Sequence, residues 1–272
     1  MTLNRQLLYF FVLAYIICCI LWIPLFLSAL NLMSTENSAP FFILGAFGPM
    51  MAAFIITYKV NGFQGCKKLL QQFIRFKISW KWYVLSFTIP IAIVLSVLVL
   101  LYIVANPDID INFMDPFEFF AGFIVSLLIV TGEEFGWRGF ALPRLQSKYN
   151  ALKSSLILGV LWSIIHFPLM FVQPERAAGI HLLIILPGFV LLMIFLTIII
   201  TFLYNSSGGS VLIPCIFHAS LGMSNHLYKS PNHDYDMLAM YLFLVVTCAF
   251  SLYFIVKYGC RNISKRKRYT VY

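Results

Sequence analysis

Long apolar runs separated by short polar stretches dominate the chain. Runs of about 20 apolar residues, the length a helix needs to cross a bilayer, fall at roughly 7–30, 40–58, 83–105, 117–141, 154–172, 179–204, 209–228 and 237–257. They are continuous rather than alternating, so they predict helices and not the strands of a barrel. The first run is too long for a signal-peptide core, and no small-residue cleavage site follows it, so a retained span is expected. Residues 62–80 differ. Leu69, Leu70, Phe73, Ile74 and Ile78 recur at near-helical spacing among Lys67, Lys68, Arg75 and Lys77. This pattern predicts an interfacial amphipathic helix, with Trp80, Trp82 and Tyr83 at headgroup level. Anchoring is its ordinary role; substrate docking is the functional alternative.

Composition agrees with the pattern. Of 272 residues, 61% are hydrophobic and 11% charged, against about 45–50% and about 25% in soluble domains. A soluble enzyme, a disordered chain and a disulfide-stapled secreted domain are excluded. The fold class expected is all-α: one polytopic helical membrane domain over residues 1–272, with about eight transmembrane helices and a central polar site. The six cysteines form no C-x-x-C pair and are read as unpaired packing residues.

Net charge is +9, which in a soluble protein would raise nucleic-acid binding. Its distribution argues otherwise. With the N-terminus inside, sixteen of the nineteen Lys and Arg fall on segments 1–6, 59–82, 142–153, 205–208 and 258–272 or at their edge; Arg138, Arg176 and Lys229 are the exceptions. Glu36, Asp108, Asp110, Asp115, Glu118, Glu175, Asp234 and Asp236 fall on or beside the opposite loops. The positive-inside rule then puts both termini in the cytoplasm, and the partners are a lipid bilayer and no nucleic acid. The basic tail from Lys257 to Arg268 reads as a topology signal and an anionic-lipid contact.

Three charges break this order. Glu133, Glu134 and Arg138 lie inside the fourth run. An ionisable group at membrane depth costs at least about 2.5 kcal/mol and therefore faces a cavity or a partner. Glu134 and Arg138 are four apart and can pair on one helix face. Glu133 lies about 100° round the helix. A carboxylate without a close cation suits a general base acting on water; a buried ion cluster tying helices together is the structural alternative. Gly132 and Gly136 have the spacing that permits close helix approach. His181, His226 and His233 fall near loops, whereas His166 and His218 lie within apolar runs. At 1.5 Å per residue, Glu133, His166 and His218 reach similar depth near the midplane.

These residues resemble the CAAX protease and bacteriocin-processing (CPBP, or Abi) family of intramembrane endopeptidases. Its pattern is E-E-x-x-x-R, then F-x-x-x-H, then H-x-x-x-N or H-x-x-x-D on successive helices. Glu133, Glu134 and Arg138 supply the first motif. Trp162 to His166 supplies the second, with Trp in place of Phe. His218 opens the third, but Gly222 stands where Asn or Asp is expected, and Asn225 lies one turn further on. The resemblance covers residues 115–228, the expected catalytic core. It implies Glu133 as general base, His166 as a water-holding or charge-stabilising group and His218 as an oxyanion donor, with Glu134 and Arg138 orienting the site. Glu133, His166 and His218 also form the set that would hold a zinc ion with a water as fourth ligand. A metal-free mechanism uses the same residues and is the one favoured.

The function implied is an intramembrane endopeptidase in a bacterial plasma membrane. Its substrate would be a membrane-associated peptide or a membrane-tethered protein, with links to bacteriocin or peptide maturation and to self-immunity. Two alternatives stand beside it: a non-catalytic immunity or scaffolding protein, which Gly222 favours, and a transporter using the charged cluster as a proton relay. The absence of visible repeats argues against transport.

Overall fold

The computed structural model describes residues 1–105, 115–172, 180–224 and 233–271. The elements are α1 (Leu3–Ala29), α2 (Thr35–Ala46), α3 (Gly48–Phe73), α4 (Lys81–Ala105) and α5 (Pro116–Glu134). A π-helical turn (Phe135–Ala141) follows directly. Then come α6 (Leu142–Lys148), α7 (Ala151–Phe171), α8 (Ile180–Ser206), α9 (Leu212–Ser224) and α10 (His233–Tyr258). The protein is a helical polytopic membrane protein, with seven helical segments long and apolar enough to cross a bilayer among the described residues. The remaining expected span, 209–228, appears as α9 with 13 residues, about 20 Å of helix; 225–228 lie outside the described residues. So do Asn225, His226, Asp108, Asp110, Glu175, Arg176 and Lys229, together with the side chains of His181, His233, Asp234 and Asp236.

Two departures from the expected spans matter for the site. The second span is broken. Ser34 caps α2 by accepting from the Asn37 N–H at 3.3 Å, α2 stops at Ala46, and α3 restarts at Gly48-Pro49. Pro49 sits in the first turn of α3, where its missing N–H is not needed, and the chain turns at Phe47. The helix then kinks at Gly62 (φ 60°), a conformation glycine adopts without steric cost. The amphipathic helix expected over 62–80 is real beyond that kink but ends at Phe73.

The break packs against the acidic helix through its glycines. A Cβ at Gly132 would lie 2.8 Å from the Ala46 carbonyl oxygen and the Phe47 Cα; one at Gly136 would lie 2.4 Å from Pro49 Cβ. The small-residue spacing read from the sequence is thus a contact with the α2–α3 break. Aromatic packing seals the π turn from the other sides. Phe10 of α1 meets Trp137 and Phe140 at 5.7 and 4.8 Å, and Phe135 stacks on Phe73 at 5.5 Å. Every residue of the π turn is buried.

The basic segments meet at one end of the bundle. Buried Gln72 is the central tie: its carbonyl accepts the Val211 N–H at 3.0 Å, its amide donates to the Gly139 carbonyl at 3.4 Å, and the Tyr204 hydroxyl donates to it at 3.1 Å. Gln146 and Asn205 exchange two hydrogen bonds of 3.0 and 2.8 Å. Residues 259–269 fold back over this pair: Asn205 donates to the Asn262 carbonyl at 2.8 Å, and Arg268 Nε donates to the Gln146 carbonyl at 2.8 Å. The tail is therefore a clamp on the α8–α9 turn, beyond the lipid-contact role read from its charge. All six cysteines are free thiols.

Close approach at Gly136 sets an expectation. Gly136→Ala forces Pro49 to move and is expected to cost about 1–3 kcal/mol. Gly188→Ala, with nothing within 4 Å of its Cβ, costs none. Melting temperatures in detergent check the pair.

Candidate active site

Three helices and the π turn bring the charged residues together. α5 ends with Glu133 and Glu134, α7 carries Trp162 and His166, and α9 carries His218. The two carboxylates diverge as adjacent helical residues do. Glu134 is fully buried, as is Arg138, and Arg138 Nη1 donates to Glu134 Oε1 at 2.9 Å. The same oxygen lies 3.0 Å from His218 Nδ1. Arg138 Cζ sits 4.3 Å from the centroid of the Trp162 ring, a desolvated cation–π contact worth about 2 kcal/mol. Glu134 Oε2 and Arg138 Nε and Nη2 have no hydrogen-bond partner, so the pair is not saturated.

Glu133 is satisfied differently. Its Oε2 accepts the indole N–H of Trp162 at 2.8 Å and of Trp137 at 3.2 Å. A phenylalanine at 162 would make neither this bond nor its polarity, so the tryptophan substitution noted in the sequence holds the acid in place. Carboxylates carry about four acceptor positions; the two indoles fill those of Oε2. His166 Nε2 stands 4.0 Å from the same oxygen, beyond hydrogen-bond reach.

Hydrogen bonding fixes the tautomers. His166 Nδ1 lies 2.9 Å from the Trp162 carbonyl oxygen. A carbonyl only accepts, so Nδ1 carries the proton and neutral Nε2 is an acceptor. His218 Nδ1 likewise faces a carboxylate oxygen, so it donates, and Nε2–H exists only in the imidazolium form. The Trp162 ring contacts both imidazoles edge to face, at 6.1 Å for His166 and 5.4 Å for His218.

Exposure divides the cluster. Glu133, His166 and His218 have side chains 16%, 24% and 20% exposed, whereas Glu134 and Arg138 are at 0%. The first three are open to a reacting molecule; the last two are sealed. A water-sized cavity lined by Cys18, Trp22, Pro49, Glu133, Trp137 and His166 opens beside the first pair.

The expected set of Glu133, His166 and His218 is therefore brought to one place, but not as one ligand group. His218 Nδ1 is taken by Glu134. Among the described residues no three His, Cys, Asp or Glu side chains stand as a metal-holding group. Both histidines do present a free Nε2 with Nδ1 held, the usual form of a ligating imidazole, and His166 Nε2 stands 4.0 Å from Glu133 Oε2. Sequence reasoning missed Trp137. An indole one turn beyond an intramembrane acid was the available signal. The π turn also went unread: Gly136 and Gly139, weak helix formers, are its only local trace.

Comparison with known proteins follows the same residues. The family model described as Type II CAAX prenyl endopeptidase Rce1-like matches residues 115–223. The CAAX prenyl protease 2 of Methanococcus maripaludis is 29% identical over 256 residues, 90% of this chain and 92% of that protein. Over residues 115–223 the chain is therefore similar to the CAAX prenyl endopeptidases, and it resembles the archaeal protease along most of its length. The matched segment holds both carboxylates, Arg138, Trp162, His166 and His218.

The sealed pair yields a prediction. Arg138→Met leaves Glu134 buried without its cation and is expected to destabilise by about 3–5 kcal/mol. Adding Glu134→Gln to it recovers part of that loss, because the two residues are coupled. Chemical unfolding in mixed micelles of the single and double variants measures both.

Proposed function

We propose that the protein is an intramembrane endopeptidase that cleaves a membrane-associated peptide or a membrane-tethered protein with a water activated by Glu133. The observation that carries this reading is the accessible Glu133–His166 pair beside a water-sized cavity. Carboxylate and neutral Nε2 are both acceptors and cannot bond each other at 4.0 Å. A water that donates to Nε2 and to Glu133 Oε1 bridges them and keeps a lone pair for attack.

In the proposed step Glu133 takes one proton of that water, and the oxygen attacks the scissile carbonyl carbon. His218, protonated and backed by the Glu134 carboxylate, donates Nε2–H to the carbonyl oxygen as it becomes negative. Collapse breaks the C–N bond, and Glu133 returns the proton to the leaving amine. One water is consumed, and one acid and one amine are released. Glu134 and Arg138 hold the site without touching substrate. The reaction is written without a metal, since Glu133 can act on the water and His218 on the carbonyl oxygen directly. The core is residues 115–228, and the basic end faces the cytoplasm of a bacterial plasma membrane, where both termini lie. Peptide or bacteriocin maturation and self-immunity are the roles that fit this placement. The relative's printed name directs the first substrate trial to a prenylated C-a-a-X peptide.

A second reading, a non-catalytic immunity or scaffolding protein, is favoured by one observation: Gly222 carries no side chain where the family pattern has an amide or acid. Cleavage separates the two. With purified protein in detergent, prenylated C-a-a-X peptides and a quenched peptide library, the endopeptidase reading expects turnover. Glu133→Gln, which keeps the indole hydrogen bonds, lowers it about 10²–10⁴-fold. EDTA leaves it unchanged, and loss of activity on EDTA with recovery on zinc would replace the metal-free step. A folded wild type silent on all substrates supports the scaffold reading.

A further inference from the structure

Between Phe119 and Val130, α5 carries one hydroxyl, Ser126. Hydroxyls on the membrane helices ordinarily return to their own backbone: Ser96 donates to Ala92, Thr131 to Leu127, Thr197 to Met193 and Thr247 to Phe243, all at 2.7–2.8 Å. Ser126 does not: like Thr57, Ser154 and Ser206 it has no hydrogen-bond partner among the described residues, but those three are buried and it is not. Its side chain is half-buried.

Its position gives this free hydroxyl a meaning. Ser126 is seven residues before Glu133, two turns along the same face of α5. Gly222 is four residues beyond His218, one turn along the same face of α9. The two positions meet. A Cβ built at Gly222 has one neighbour within 4 Å, Ser126 Oγ at 3.4 Å. The face of α9 that presents His218 thus ends in a gap, and α5 puts a free O–H donor at its edge. Oxyanion stabilisation needs donors aimed at one point; His218 supplies one, and α9 supplies no second from position 222.

We propose that Ser126 is a catalytic residue: its hydroxyl donates a hydrogen bond to the scissile carbonyl oxygen, beside His218 Nε2–H, in the place where Gly222 has no side chain. The inference rests on the endopeptidase reading. No bond to Ser126 forms or breaks, and its proton stays on Oγ. A nucleophilic role is unsupported, because no base contacts the hydroxyl.

The test uses the full chain in lipid nanodiscs with the prenylated C-a-a-X peptide: wild type, Glu133→Gln, Ser126→Ala, Ser126→Thr, and Ser126→Ala with Gly222→Asn. Ser126→Ala is expected to lower kcat on the order of 10²-fold with KM and melting temperature little changed. Ser126→Thr keeps the hydroxyl and retains most activity. Gly222→Asn in the alanine background restores a large part, since its amide N–H enters the same space. Ser126→Ala turning over like wild type, while Glu133→Gln is inactive, overturns the proposal and leaves the endopeptidase reading standing. Activity lost in step with melting temperature, with no recovery from Gly222→Asn, also overturns it. A wild type that cleaves nothing overturns both.

Discussion

Adjacent residues on a helix diverge by about 100°, so Glu133 and Glu134 cannot share one partner inside an apolar bundle. An unpartnered carboxylate at that depth is expensive, and each must be satisfied from a different side. Glu134 turns to Arg138 and His218 and is sealed. Glu133 turns to two indoles and to His166 and stays accessible. Indoles are neutral donors: they hold a carboxylate without cancelling its charge. That asymmetry separates a sealed ion pair from an accessible acid within two consecutive residues.

The surrounding fold follows from placing those partners. α5 has to approach the α2–α3 break closely, which Gly132 and Gly136 allow. The π turn carries Trp137 and Arg138 back under Glu133 and Glu134, and π insertions of this kind recur at functional sites. Gln72 ties α3 to the π turn, α8 and the start of α9, so the helix bearing His218 is anchored at its base. The folded tail secures the same turn from outside through Asn205 and Gln146. Trp162 joins the halves: it donates to Glu133, stacks on Arg138 and touches both histidines.

Much of this was legible in the residues. Ionisable groups in an apolar run announced the site, the four-residue spacing announced the Glu134–Arg138 pair, and equal depth announced that His166 and His218 could reach it. The helical membrane class and the basic-segment grouping followed from hydropathy and charge, whereas of the eight expected spans 209–228 proved a helix of 13 described residues. What escaped depends on angular register and tertiary contact. The pairing of His218 with Glu134 depends on how α9 is rotated against α5, which periodicity does not specify. The π turn shifts register within a run whose composition looks helical throughout. The break at Phe47 lies inside an apolar stretch, with only Gly48-Pro49 to mark it. Ser126 is one serine in a lipid-length helix, and its freedom from the backbone shows only when the other hydroxyls are accounted for.

The most direct test of this division of labour is a structure of the Glu133→Gln variant with an uncleaved membrane-tethered peptide, by electron cryomicroscopy in nanodiscs. The account predicts the scissile carbonyl carbon about 3–3.5 Å from a water held by residue 133 and His166. Its oxygen points to His218 and Ser126, and Glu134 and Arg138 remain out of contact. A peptide seated away from Trp162, or one contacting Glu134 and Arg138 directly, would contradict it.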